Sequence, residues 1–192
     1  MSLLNVKQTA ILLGSFVFLS LNTISQSISN YSTSVNSGAS YLSVNLTGNA
    51  FNSWRNTTSF TQDDNRSDFT DIGFDFWYNG VRYTQFSVST NGFIDFSSST
   101  NDGGPAGGAF SFDNTAFSVN TNPAIAPFYD DLTAQGGTSA LGNSLKYVVA
   151  GAAPNRTLTI EWINMAVYGN TTPSLNFQVK LVETTGVILV NY

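Results

Sequence analysis

From Tyr41 onward, apolar and polar side chains alternate in short runs broken by Gly, Asn, Asp and Pro, and no window sustains a helical i, i+3, i+4, i+7 spacing. A period of two predicts strands with one buried face each. The clearest run is Asp71–Tyr78, followed by Asn79-Gly80 and then Val81–Thr84. Asn-Gly is the strongest two-residue hairpin signal, because the turn needs positive φ at both central positions. A two-residue loop pairs Tyr78 with Val81 and Phe76 with Tyr83. That register predicts Ile72, Phe74, Phe76, Tyr78, Val81 and Tyr83 on one core-facing side.

A second turn, Thr90-Asn91-Gly92, needs a three-residue loop with Gly92 left-handed, since a two-residue loop would set Val88 opposite Asp95. In the repaired register Val88 meets Ile94, Phe86 meets Phe96, and Ser87 and Asp95 are expected to face outward together. Further strands follow the glycine-rich loop 102–108. Leu145, Tyr147 and Val149 alternate in one, and Leu158, Ile160 and Trp162 in the next, with Glu161 expected outward. Leu175, Phe177, Val179 and Leu181 alternate in a third, and Thr184-Thr185-Gly186 turns into a last strand from Val187. The fold expected is all-β, a two-sheet antiparallel β-sandwich of jelly-roll or Ig-like Greek-key type.

Composition adds a compartment. Lys7 precedes the apolar run Ala10–Leu19, which gives way to Ser20 and Asn22 and then to the small residues of Thr23-Ile24-Ser25. That layout predicts a secretory signal peptide over residues 1–25, cleaved after Ser25; its apolar run is too short to span a bilayer. Residues 26–40 read as a Ser- and Asn-rich leader and 41–192 as the β-sandwich domain. The last strand runs apolar to Tyr192, so further domains are expected downstream. No later stretch is long and apolar enough to insert in a membrane.

The chain holds no Cys and no His. Disulfides, Cys-based metal sites, the common general base and the Ser-His-Asp or Cys-His forms of catalysis are excluded. An exported protein without disulfides points to a bacterial source. The net charge is −5, and the cations beyond the signal are scattered at Arg55, Arg66, Arg82, Lys146, Arg156 and Lys180. Nucleic acid is therefore not an expected partner, because a phosphate backbone is bound by clustered cations.

The runs Ile72-Gly73-Phe74-Asp75-Phe76, Val88–Phe96 around Asn91-Gly92, and Ile125-Ala126-Pro127-Phe128-Tyr129-Asp130-Asp131-Leu132 resemble the β-domains near the amino termini of secreted Bacteroidetes proteins. Their order is also similar to that of the extracellular nidogen-type (NIDO) domain. Asp63-Asp64 upstream, and Ala153-Pro154-Asn155-Arg156, Glu161-Trp162 and Phe177–Leu181 downstream, extend the resemblance. It implies a non-enzymatic extracellular module of a multidomain protein, often one exported by type IX secretion. Tyr129 stands where Trp is more usual.

Several residues are candidates for chemistry. Asp63, Asn65, Ser67 and Asp68 are spaced like the start of a calcium loop, although an EF-hand would need Gly at 68 and Glu at 74. With Asp130 and Asp131 they form a candidate non-EF calcium set; the alternative is turn chemistry, with Asp and Asn bonding nearby amides. Asp130 and Asp131, together with Glu161 or Asp95, could serve as the acid and base pair of a glycoside hydrolase, yet Glu161 alternates outward and no motif places it near Asp131. Trp54, Trp77 and Tyr168 are candidates for stacking on sugars, whereas Trp162 is expected in the core. The expected function is a non-catalytic adhesion or interaction module, secreted or at the cell surface, with an extracellular protein or glycan as partner. A carbohydrate-binding module serving a downstream enzyme is the alternative, and a carboxylate-only hydrolase the third reading.

Overall fold

The structure, a computed structural model, describes residues 28–55, 63–97, 123–134, 141–170, 172 and 175–192. The expected signal segment 1–25 and the glycine-rich loop 102–108 lie outside the described residues. Two antiparallel sheets face each other. The four-stranded sheet is a meander of β2 (Thr70–Tyr78), β3 (Val81–Ser89), β4 (Phe93–Asp95) and β5 (Ala124–Ile125). The six-stranded sheet runs β1 (Asn49–Ala50), β7 (Leu145–Ala150), β8 (Thr157–Val167), β9 (Leu175–Val182) and β10 (Ile188–Asn191), with β6 (Leu132–Ala134) against the end of β8. A 3₁₀ turn at Ile28–Asn30 and a single helical turn at Leu141–Ser144 complete the described elements.

Both hairpins take the register that their turn residues impose. Asn79 and Gly80 have φ of 50° and 76°, and Tyr78 pairs with Val81 and Phe76 with Tyr83. At the second turn Val88 pairs with Ile94, Ser87 with Asp95 and Ser89 with Phe93, with Gly92 left-handed at φ 79°. Ile72, Phe74, Phe76 and Tyr78 on β2 are buried against Leu158, Ile160, Phe177 and Leu181 of the other sheet. Each such side chain removed from water contributes about 1.5–3 kcal/mol before entropy is counted. Val81 departs from expectation: it is half exposed, because it adjoins the hairpin tip beyond the reach of the second sheet.

Trp162 is a core residue, as its alternation predicts. It stacks on Phe177 with centroids 4.9 Å apart, and its Nε1–H donates to the Ser89 carbonyl across the sandwich at 2.8 Å. A buried indole needs such a partner, since an unbonded N–H in an apolar core is costly. Here the bond also ties the two sheets together.

The outer faces are less open than alternation implies. Ser87 and Asp95 do point away from the core together, but both are fully buried. Residues 65–67 extend β2 beside β3, with Arg66 bridged to Ser89, so the Arg66 side chain lies on this outer face. It donates from Nε to Ser87 Oγ at 2.7 Å and sits 3.0 Å from Asp95 Oδ2. On the other sheet Glu161 also points outward and is also buried. Its carboxylate accepts Tyr41 Oη–H at 2.8 Å and the Val44 amide at 2.6 Å, while Gln178 donates to the Leu42 carbonyl at 2.8 Å. The chain entering the domain is thus laid across an outer sheet face by a carboxylate and an amide. Further upstream, within the expected leader, Tyr31 packs on Tyr78 with centroids 6.0 Å apart.

Candidate functional site

Three motifs far apart in sequence meet at the tip of the second hairpin, and Asn91 joins them. Its side-chain amide donates to Asp64 Oδ1 at 3.0 Å, and its carbonyl oxygen accepts the Leu132 amide at 2.9 Å. Asn91 is fully buried, so its amide is a strut rather than a surface group. Thr90 secures the first motif again: its amide donates to the Asn65 carbonyl at 2.9 Å, and its hydroxyl accepts the Asn65 amide at 2.9 Å. Gly92 secures the segment 123–131 by close backbone approach, with the Phe128 amide 3.4 Å from its carbonyl.

This convergence brings Asp63, Asp64 and Asp131 together, with one carboxylate oxygen from each within 4.8 Å of the others. Burial and the charges of Asp64 and Asp131 push the Asp63 carboxyl up to about 6. Asp131 is raised for the same kinds of reason, burial first and then its acidic neighbours Asp64 and Asp130. An oxygen-only cluster of this kind has two chemical outlets: it shares a proton or it accepts a hard cation such as calcium.

Of the five residues expected to hold calcium, only Asp63 and Asp131 belong to this cluster. Asn65 is buried, and its side-chain oxygen accepts the Arg66 amide at 2.8 Å, which is turn chemistry. Asp130 Oδ1 accepts the Asp131 amide at 2.9 Å, and Asp68 is exposed outside the cluster. Asp64, which fills the third place, stands beside Asp63 in the sequence but off the alternate-residue spacing of a calcium loop. Asn91 was readable only as a turn residue; nothing in the sequence says which backbone its amide will reach.

The cluster makes stability depend on pH in calcium-free buffer. The folded chain keeps the Asp63 proton up to about pH 6, whereas the unfolded carboxyl loses it near 3.8. The native state therefore binds more protons between those values, and stability falls as pH rises through that window, by on the order of 2–3 kcal/mol. Urea midpoints are expected to be higher at pH 5 than at pH 7.5, and Asp63→Asn is expected to flatten the difference by raising the pH 7.5 value. A profile equally steep in the variant would remove Asp63 as its source. Calcium added at pH 7.5 would raise the wild-type midpoint, and not that of the variant, if the cluster takes the ion.

The candidate aromatics are dispersed. Trp54 is partly buried against the core, edge-on to Phe51, with Nε1–H on the Phe51 carbonyl at 3.2 Å. Tyr168 is exposed just past the end of β8, where its amide donates to the Asp131 carbonyl at 2.7 Å. Trp77 is half exposed near the opposite end, where β8 begins, lining a cleft shared with residues 182–186. These three therefore form no coplanar platform.

The range that contains the segments meeting at Asn91, residues 20–192, matches the family described as NIDO related. The chain belongs to the NIDO-related family. Nothing matches among curated proteins or among solved structures. NIDO-related domains are typically extracellular interaction modules, and they are not a typical enzyme family. Among the described residues of this NIDO-related domain, no helix is long and apolar enough to cross a membrane.

Proposed function

We propose that this NIDO-related domain is a non-catalytic adhesion module of a secreted or cell-surface bacterial protein, exported by its amino-terminal segment, with an extracellular protein or glycan as partner. The observation that carries the reading is the family match across residues 20–192. The placement of the acids supports it. Two-carboxylate glycoside hydrolysis needs its acids facing each other across one sugar cleft, about 5–9.5 Å apart. Asp95 lies buried beside Arg66 on the outside of the four-stranded sheet, and Glu161 lies buried beneath Tyr41 and Val44 on the outside of the six-stranded one. Each is spent on a structural partner rather than turned into a cleft with Asp130 and Asp131.

The labelled chain is expected to bind saturably to the surface of at least one cell type in a panel of bacterial and animal cells. Prior treatment of those cells with protease or periodate should abolish binding, according to whether the partner is protein or glycan. Absence of saturable binding across the panel would overturn the proposal.

A further inference from the structure

We infer that the cleft beside Trp77 is a binding site for a short neutral saccharide. The inference rests on the interaction-module reading and names its ligand class. Among the described residues no strand pairs with the other edge of β2. Along that edge Asp75, Phe76 and Trp77 face the β9–β10 turn, Val182–Gly186, across a cleft of about 350 Å³. That volume is at the lower end of the roughly 300–1,000 Å³ typical of small-ligand sites.

Three features fit a sugar. Trp77 is 52 % exposed, although a ring of that size is ordinarily sheltered, and an indole face stacks on the C–H face of a pyranose. Two carboxylates line the same cleft, each paired with an arginine. Asp75 receives Arg82 Nη2 and Nε at 2.7 Å each, and Glu183 receives Arg156 Nε at 2.8 Å and Nη2 at 2.6 Å. Both Asp75 oxygens and Glu183 Oε1 retain a further lone pair for a hydroxyl donor, whereas Glu183 Oε2 already accepts both the Arg156 Nε–H and the Arg156 backbone amide, at 2.9 Å. Thr184 and Thr185 stand in the same wall. The paired charges cancel, which favours a neutral ligand over an ionic one.

The same geometry disfavours an extended peptide joining the sheet. Arg156 Nη1 already donates to the Gly73 carbonyl at 2.6 Å, and the Asn79-Gly80 turn ends the strand a few residues later. Only residues 74–78 remain between them, the short end of the roughly five to six residues of a typical strand. One aromatic in a walled cleft suits a chain end or short oligosaccharide rather than a flat polymer surface.

The test titrates the full chain with soluble tetrasaccharides of β-1,4-linked glucose, β-1,4-linked N-acetylglucosamine and α-1,4-linked glucose, reading tryptophan emission and calorimetric heat. Saturable binding of at least one is expected. Trp77→Ala should weaken it about tenfold or more, Trp77→Phe should keep part of the affinity, and Tyr168→Ala should leave it unchanged. Circular dichroism and melting curves check that each variant is folded. No isotherm with any of the three sugars, or equal affinity in folded Trp77→Ala, would overturn the site. Cell binding that survives periodate but not protease, without a sugar isotherm, would overturn it while leaving the interaction module standing. Absence of both cell binding and sugar binding would overturn both.

Discussion

Gly92→Ala is expected to destabilise the domain by about 4 kcal/mol or more, among the larger effects a single methyl group can have. Two costs add. Gly92 sits at φ 79°, where an L-residue pays about 1–2 kcal/mol for steric conflict with its own backbone. The new Cβ would also overlap the Phe128 carbonyl oxygen, lie 2.8 Å from the Phe128 carbonyl carbon and press on Leu132 Cδ1 at 3.2 Å. Phe128 cannot retreat cheaply, since its amide faces Gly92 and its ring packs on Phe177 with centroids 5.5 Å apart. In a domain of this size each kcal/mol lowers the melting temperature by about 2–4 °C, so a fall on the order of 10 °C is expected by calorimetry. Gly169 is the internal control: its φ is 80° but nothing lies within 4 Å of a Cβ there, so Gly169→Ala should show the backbone cost alone. Equal losses at the two positions would mean that the contact with Phe128 carries no weight.

The second large effect is expected at Arg66 and Asp95. Their side chains are both fully buried, and their 3.0 Å contact lies off the line of a good hydrogen bond, so charge rather than bonding geometry holds them. Arg66→Met would leave the Asp95 carboxylate without its counter-charge, supported by the Ser97 amide at 2.5 Å, and is expected to cost about 3–5 kcal/mol. Removing both charges in Arg66→Met/Asp95→Leu should recover much of that loss, because the desolvation penalty goes with the pair. Denaturant midpoints of the two single variants and the double variant give the coupling directly. Additive losses, with the double variant worst, would refute a charge-based pairing.

Much of the frame was legible in the sequence. Asn79-Gly80 and Thr90-Asn91-Gly92 specify turns through backbone sterics that act within four residues, and the turn then dictates every pair along the hairpin. Tyr78 opposite Val81 and Val88 opposite Ile94 followed from that alone. The alternation at Leu158, Ile160 and Trp162 likewise identified core positions, because a strand's side chains have only two directions to point.

Direction, however, is not burial. Ser87, Asp95 and Glu161 pointed outward as alternation requires, yet all three are buried: Arg66 is laid against the first two and residues 41–44 against the third. Arg66 lies 21 residues before Ser87, and Tyr41 lies 120 before Glu161. No local periodicity encodes such a pairing. The acidic cluster has the same origin: Asp63 and Asp64 are neighbours in the chain, but Asp131 reaches them only because Asn91 spans two segments through one side chain. The cleft at Trp77 likewise needs β2 and the β9–β10 turn, which are distant in sequence. What the sequence determined by itself was the strands, their turns and their inward faces, since those depend on sterics and alternation between near neighbours. Only the tertiary structure decided which outward-facing groups water still reaches, because that depends on where remote segments come to rest.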